Sequence, residues 1–122
     1  MPELTHLRSV LAVRQLTMSV AFYRDSLGFT LEFETPGWAF MSRGAFAVML
    51  GECPDEMPAG DTGDHSYFAY VNVTDIDTLY AEYQSKGVPM IQPLAEKPWG
   101  MREFGVLTPD GHRIMFGEEL SA

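Results

Sequence analysis

The sequence predicts an α+β fold built from two βαβββ modules, with helices on one side of the sheet. Three observations predict it. The stretch 99–116, WGMREFGVLTPDGHRIMF, reads as a hairpin around Thr108-Pro109-Asp110-Gly111. In that turn Pro sets φ at a corner, Asp bonds nearby backbone and Gly accepts a positive φ. The order strand, helix, three strands then occurs twice, at a shift of about 60 residues, which marks a duplication. Finally, a polar, acidic, Pro/Gly-rich segment separates the two halves. A single domain of residues 1–122 is expected: module one at about 5–51, a loop at 52–64, module two at about 65–119.

The elements follow in order. Leu7 to Val13 alternates as a strand, with Ser9, Leu11 and Val13 on one face and Arg8, Val10 and Ala12 on the other. Leu16, Val20, Tyr23 and Leu27 fall at helical spacing, with Thr17 or Ser19 as N-cap and Gly28 as the stop. Strands are expected at Phe29–Glu34, Trp38–Ser42 and Ala45–Leu50, joined by turns at Pro36-Gly37 and Arg43-Gly44. In the second half a strand runs from His65 to Val73. A helix starts at Thr74 or Asp75, passes through Ile76, Leu79, Tyr80 and Tyr83, and ends at Gly87. Val88–Gln92 is a short strand, Pro93–Pro98 a loop, and the hairpin closes the chain. Laid over each other, the halves match Val13 with Val73, Leu16 with Ile76, Ala21 with Ala81 and Tyr23 with Tyr83. Gly28 meets Gly87 only after a one-residue gap.

Composition narrows the function. The 122 residues are 46% hydrophobic with a net charge of −9, which argues against nucleic acid and anionic membranes as partners; it would favour a cationic ligand, but an acidic surface reads first as one that keeps the protein in solution. No apolar run reaches the roughly 20 residues of a membrane helix. The start MPELTHLRSV lacks the apolar core of a signal peptide, so a cytoplasmic protein is expected. The lone Cys53 excludes an intrachain disulfide and reads as a free loop thiol. No G-x-S-x-G, Cys-His pair, Gly-rich phosphate loop or acid/base constellation appears.

Two segments carry a family resemblance. VLAVRQLTMSVAFYRDSLGF, residues 10–29, resembles the opening signature of the vicinal oxygen chelate superfamily, which includes glyoxalase I, fosfomycin-resistance proteins, extradiol dioxygenases and bleomycin-resistance proteins. KPWGMREFGVLTPDGHRIMFGE, residues 97–118, is similar to its closing signature, and the PWG-x-RE start is most like the bleomycin-resistance branch. TPDG stands where DPDG is usual. The resemblance implies paired βαβββ modules whose sheet curls around a cavity away from the helices, and a homodimer. In metal-dependent members a His in the first strand and a Glu in the last strand of a module hold the ion. By position these fall on Arg8 and Phe68, and on about Met49 and Met115, none of them a good ligand for a hard or borderline divalent ion. The remaining candidates are three histidines. His6 and His112 are expected to face solvent, and His65 to be a polar strand end. No metal and no cofactor is therefore expected.

The aromatic and methionine content is the stronger signal. Trp38, Phe40, Met49, Phe68, Tyr70, Trp99, Met101 and Met115 are candidates for a cavity wall of aromatic planes and adaptable thioethers. Arg102 and Glu103 read either as polar orienting groups or as a surface pair. Arg8 on the cavity face needs a partner or an anionic ligand. The expectation is a metal-free protein that sequesters a planar or cationic small molecule in a cleft at a dimer interface. The alternatives are a metal-dependent lyase or thiol transferase, and a domain with no small ligand.

Overall fold

A computed structural model describes residues 2–57, 59–62 and 67–120. They divide into two units, Met1–Met57 and Pro58–Ala122. Unit one contains β1 (Ser9–Val13), α1 (Leu16–Ala21) running into a π-helical turn (Phe22–Ser26), β2 (Thr30–Thr35), β3 (Trp38–Arg43) and β4 (Phe46–Glu52). Its sheet has the order β1-β4-β3-β2, with β1 parallel to β4 and the other pairs antiparallel. Unit two contains β5 (Tyr67–Asn72), α2 (Ile76–Ser85), β6 (Met90–Glu96), β7 (Met101–Leu107) and β8 (Arg113–Glu119), in the order β5-β8-β7-β6 with β5 parallel to β8. The α+β class and the repeated βαβββ order hold. A 3-10 turn, Ala59–Thr62, lies in the linking loop.

In each unit one sheet face buries its aliphatic and aromatic residues under the helix. In unit one, Leu11, Val13, Ala39, Met41, Val48 and Leu50 are buried, as are Leu16, Val20, Tyr23 and Leu27 of the helical segment. In unit two, Phe104 stacks on Phe116 at 5.2 Å, and both present their rings to Tyr83 of α2, at 6.2 and 5.7 Å.

The one-residue gap between the halves has a structural counterpart. In unit two the helix ends with Val88 N–H bonded to the Tyr83 carbonyl at 3.0 Å. In unit one the matching bond runs from Phe29 N–H to the Tyr23 carbonyl at 2.8 Å, one residue longer. Leu27 N–H also reaches back to the Phe22 carbonyl at 3.1 Å, which closes the π turn. The extra residue is absorbed as that turn. Both helices then stop on a glycine in the left-handed region, Gly28 (φ 82°) and Gly87 (φ 71°).

The start of α1 corrects the sequence expectation, whereas α2 begins as expected, with Asp75 at its N-cap position. Neither Thr17 nor Ser19 caps α1, because the helix begins earlier, at Leu16, and Ser19 is buried within it. Asp75 precedes α2 but makes no side-chain cap bond. Glutamates at matching places near the ends of β4 and β8 take over. Glu52 Oε2 accepts the Leu16 N–H at 2.9 Å, and Glu118 accepts the Asp75 and Ile76 N–H groups at 3.0 and 3.1 Å. Each caps from far along the chain, which local motifs cannot reveal. Removing one leaves helix donors without an acceptor, so Glu118→Ala is expected to cost about 1–2 kcal/mol and Glu52→Ala less. Urea unfolding of both variants checks the order. Equal stability with the parent would show that the carboxylates do not cap.

Two further expectations change. β6 continues through Pro93 to Glu96 where a loop was expected. It is an edge strand with register shifts around Pro93, a setting where a missing N–H is tolerated. His112 is partly covered, not solvent-facing. Its ring lies near Thr108 Oγ1 at 3.3 Å and edge-on to Phe68 at 5.8 Å, and burial holds its pKa below the usual histidine value. His65 lies outside the described residues.

Candidate ligand-binding faces

The sheet face of unit one that points away from α1 carries four of the predicted site residues together. Strand register places Met49 beside Val10 and Phe40, and Trp38 beside Gly51. Arg8, just before β1, holds its guanidinium 5.7 Å from the Phe40 ring centroid, so its partner is an aromatic face. Phe33 meets Phe40 edge-on at 5.6 Å. Trp38 lies across Gly51. A Cβ there would stand 2.8 Å from the indole, so glycine is what lets the ring lie on the sheet. Val10, Phe33 and Trp38 are exposed. Glu32 accepts a hydrogen bond from the Ser42 hydroxyl at the rim.

Unit two repeats the arrangement with more polar content. Starting from the turn at 108–111, β7 and β8 pair Leu107 with Arg113, Gly105 with Met115, Glu103 with Gly117 and Met101 with Glu119. Met101, Glu103 and Met115 therefore share the face away from α2, and Tyr70 joins them opposite Met115. Gly105 makes room for the Met115 sulfur, and Gly117 for the Tyr70 ring and hydroxyl. Trp99 sits before β7 in a turn that Gly100 closes at φ 86°. Its side is open, with 65% of the residue exposed.

Two predicted residues sit elsewhere. Phe68 is the extra residue at a register shift between Tyr67 and Ala69, so Tyr67 takes the place beside Arg113. Tyr67 is joined there by Gln92, whose amide donates to its hydroxyl at 3.2 Å. Arg102 lies on the opposite face, 2.7 Å from Asp77 of α2 and 3.8 Å from Glu96. That contact holds the exposed Asp77 carboxyl below the usual range.

Glu103 is the residue that sequence left undecided, and it is only 4% exposed. Its Oε2 accepts the Tyr70 hydroxyl at 2.5 Å and the Trp99 indole N–H at 3.5 Å. Burial of the hydroxyl first, then this hydrogen bond and the carboxylate charge, push the Tyr70 phenol well above the usual tyrosine range. One carboxylate thus ties two aromatic rings to one sheet face.

Among the described residues neither face offers a metal centre. Arg8 is cationic and engaged with Phe40, Phe68 has no donor atom, and Met49 and Met115 supply only soft thioethers. Among the described residues no three His, Cys, Asp or Glu side chains converge. The residues at the expected ligand positions do not fit a divalent ion. Among the described residues, too, no helix is long and apolar enough to cross a membrane.

Repeated βαβββ units, each with an aromatic and thioether face left open by its helix, define the paired-module α+β class. The chain belongs to the glyoxalase/bleomycin resistance protein/dioxygenase superfamily, whose model matches residues 4–116. It is 30% identical over 127 residues to the bleomycin resistance protein of Geobacillus stearothermophilus, covering 92% of this chain and 95% of that one. Among solved structures, TioX from Micromonospora sp. ML1 superposes with a TM-score of 0.79 at 26% identity, covering 95% of this chain and 99% of TioX. The bleomycin-binding protein of bleomycin-producing Streptomyces verticillus, complexed with copper(II)-bleomycin, superposes with a TM-score of 0.74 at 25% identity, over 100% of both chains.

Proposed function

We propose that this chain is a binding protein for planar or cationic small molecules, in the manner of the bleomycin-resistance proteins, and that it makes and breaks no bond. The observation that carries this is the pair of exposed indoles, Trp38 and Trp99, each at the sheet face turned away from its own unit's helix. Such rings offer large rigid contact area at little entropic cost, and the neighbouring methionines adapt to a ligand's outline. The similarity to a bleomycin resistance protein and to a bleomycin-binding protein supports the same reading. The same proposal has a homodimer, in the cytoplasm, with ligand sequestered in a cleft at the dimer interface.

Titration with bleomycin, copper(II)-bleomycin and a panel of planar compounds, followed by tryptophan fluorescence, tests it. Saturable quenching is expected. Trp99→Ala should weaken it by about 5–30-fold, the loss of one stacking partner and its buried area. Absence of quenching across the panel contradicts the proposal.

A further inference from the structure

We propose that Glu103 is the charge partner of the bound molecule, so that the open face of unit two selects an organic ammonium ion. The ammonium N–H groups would donate to the Glu103 carboxylate, with the Tyr70 and Trp99 rings as walls. The inference rests on the binding function above and names the class of compound and the residue that recognises it.

A carboxylate this buried is costly unless a cation or enough donors compensate it. Here both donors are neutral and both use Oε2. Among the described residues no cation pairs with Glu103 and no donor reaches Oε1. The neighbouring Arg102 points to the other face and is engaged with Asp77. Two cations lie toward the same face: Arg113, four residues along β8 from Glu103's partner Gly117, about 13 Å away at strand spacing, and Lys97, beside Met101 and two residues along from Glu103's partner Ala95, about 7 Å away. Neither forms an ion pair with the Glu103 carboxylate. The aromatic walls also favour a cation, because indole and phenol faces attract cations. The two walls are themselves exposed, Tyr70 at 47% and Trp99 at 65%, so a ligand meets the rings first and reaches the buried carboxylate as they part.

The test uses three probes of one shape and different charge: naphthylmethylamine, naphthylmethanol and naphthoate. Each is titrated into the full chain at neutral pH. The parent protein is expected to hold the amine about tenfold more tightly than the alcohol, and naphthoate weakest. Glu103→Gln should erase the amine's advantage over the alcohol, because the Gln carbonyl can still accept from Tyr70 and Trp99 while the charge is gone. An amine advantage that survives in Glu103→Gln assigns it to the general acidity of the surface and overturns the proposal. Equal binding of amine and alcohol by the parent overturns it too, needs no variant, and leaves the binding function standing. If none of the probes and no other planar compound binds, the binding function falls and this proposal with it.

Discussion

Phe104→Ala will destabilise unit two by about 3–5 kcal/mol, the range for deleting a buried ring. Phe104 is fully buried and stacks on Phe116 at 5.2 Å with planes 24° apart. Tyr80 and Tyr83 of α2 meet it edge-on at 5.0 and 6.2 Å. It joins the sheet to the helix, and three rings lose a partner when it goes. Native packing cannot close a hole of that size, so the cavity adds to the lost transfer energy. A thermal midpoint lower by about 10–20 °C is the expected reading. Phe104→Leu, which keeps most of the volume, should cost much less. A Phe104→Ala protein as stable as the parent would show that the ring cluster does not hold α2 on its sheet.

Gly117→Ala will cost about 1.5–3 kcal/mol although alanine is small, because it expels Tyr70 from its seat. An added Cβ would overlap the Tyr70 hydroxyl and stand 2.7 Å from its Cζ. The ring can swing away, since it is half exposed, so the backbone need not move. What is lost is the hydrogen bond to a charged, buried partner, Glu103. The Tyr70 phenol should then titrate closer to the ordinary tyrosine value, because desolvation and the Glu103 contact both fall away. Ultraviolet titration reads this shift directly. In a Tyr70→Phe background the hydroxyl is already absent, so the cost of Gly117→Ala should shrink by about 1 kcal/mol or more. Unchanged stability together with an unchanged phenol titration would mean that Tyr70 does not rest on Gly117.

Much of this was legible in the chain. The turn Thr108-Pro109-Asp110-Gly111 forms, with Gly111 at φ 86°. The faces predicted by alternation hold for Leu11 and Val13 against Val10, and for Ile114 and Phe116 against Met115. Local rules suffice there because strand parity and turn chemistry are set by neighbours in sequence. Glu103 could have been found in the same way. Counting outward from the turn pairs it with Gly117 and puts it on the Met115 face, with Arg102 on the reverse. Phe68 escaped because a bulge resets parity, and nothing in Tyr67-Phe68-Ala69 announces one. The caps escaped because Glu52 and Glu118 act across 36 and 42 residues, through the parallel pairing of β1 with β4 and of β5 with β8. The seats under Trp38 and Tyr70 escaped for a related reason. Gly51 and Gly117 look like weak strand residues until the ring above each is known.

A nuclear magnetic resonance titration with bleomycin probes the uncovered sheet faces most directly. The indole N–H signal of Trp99 and the side-chain signals of Tyr70 and Met115 are expected to move saturably, with Trp38 following on its own face. Signals from Phe104 and Ile114, under α2, should stay in place. Shifts confined to the helix side, or none with bleomycin or any planar compound, would show that these faces are not where a ligand binds.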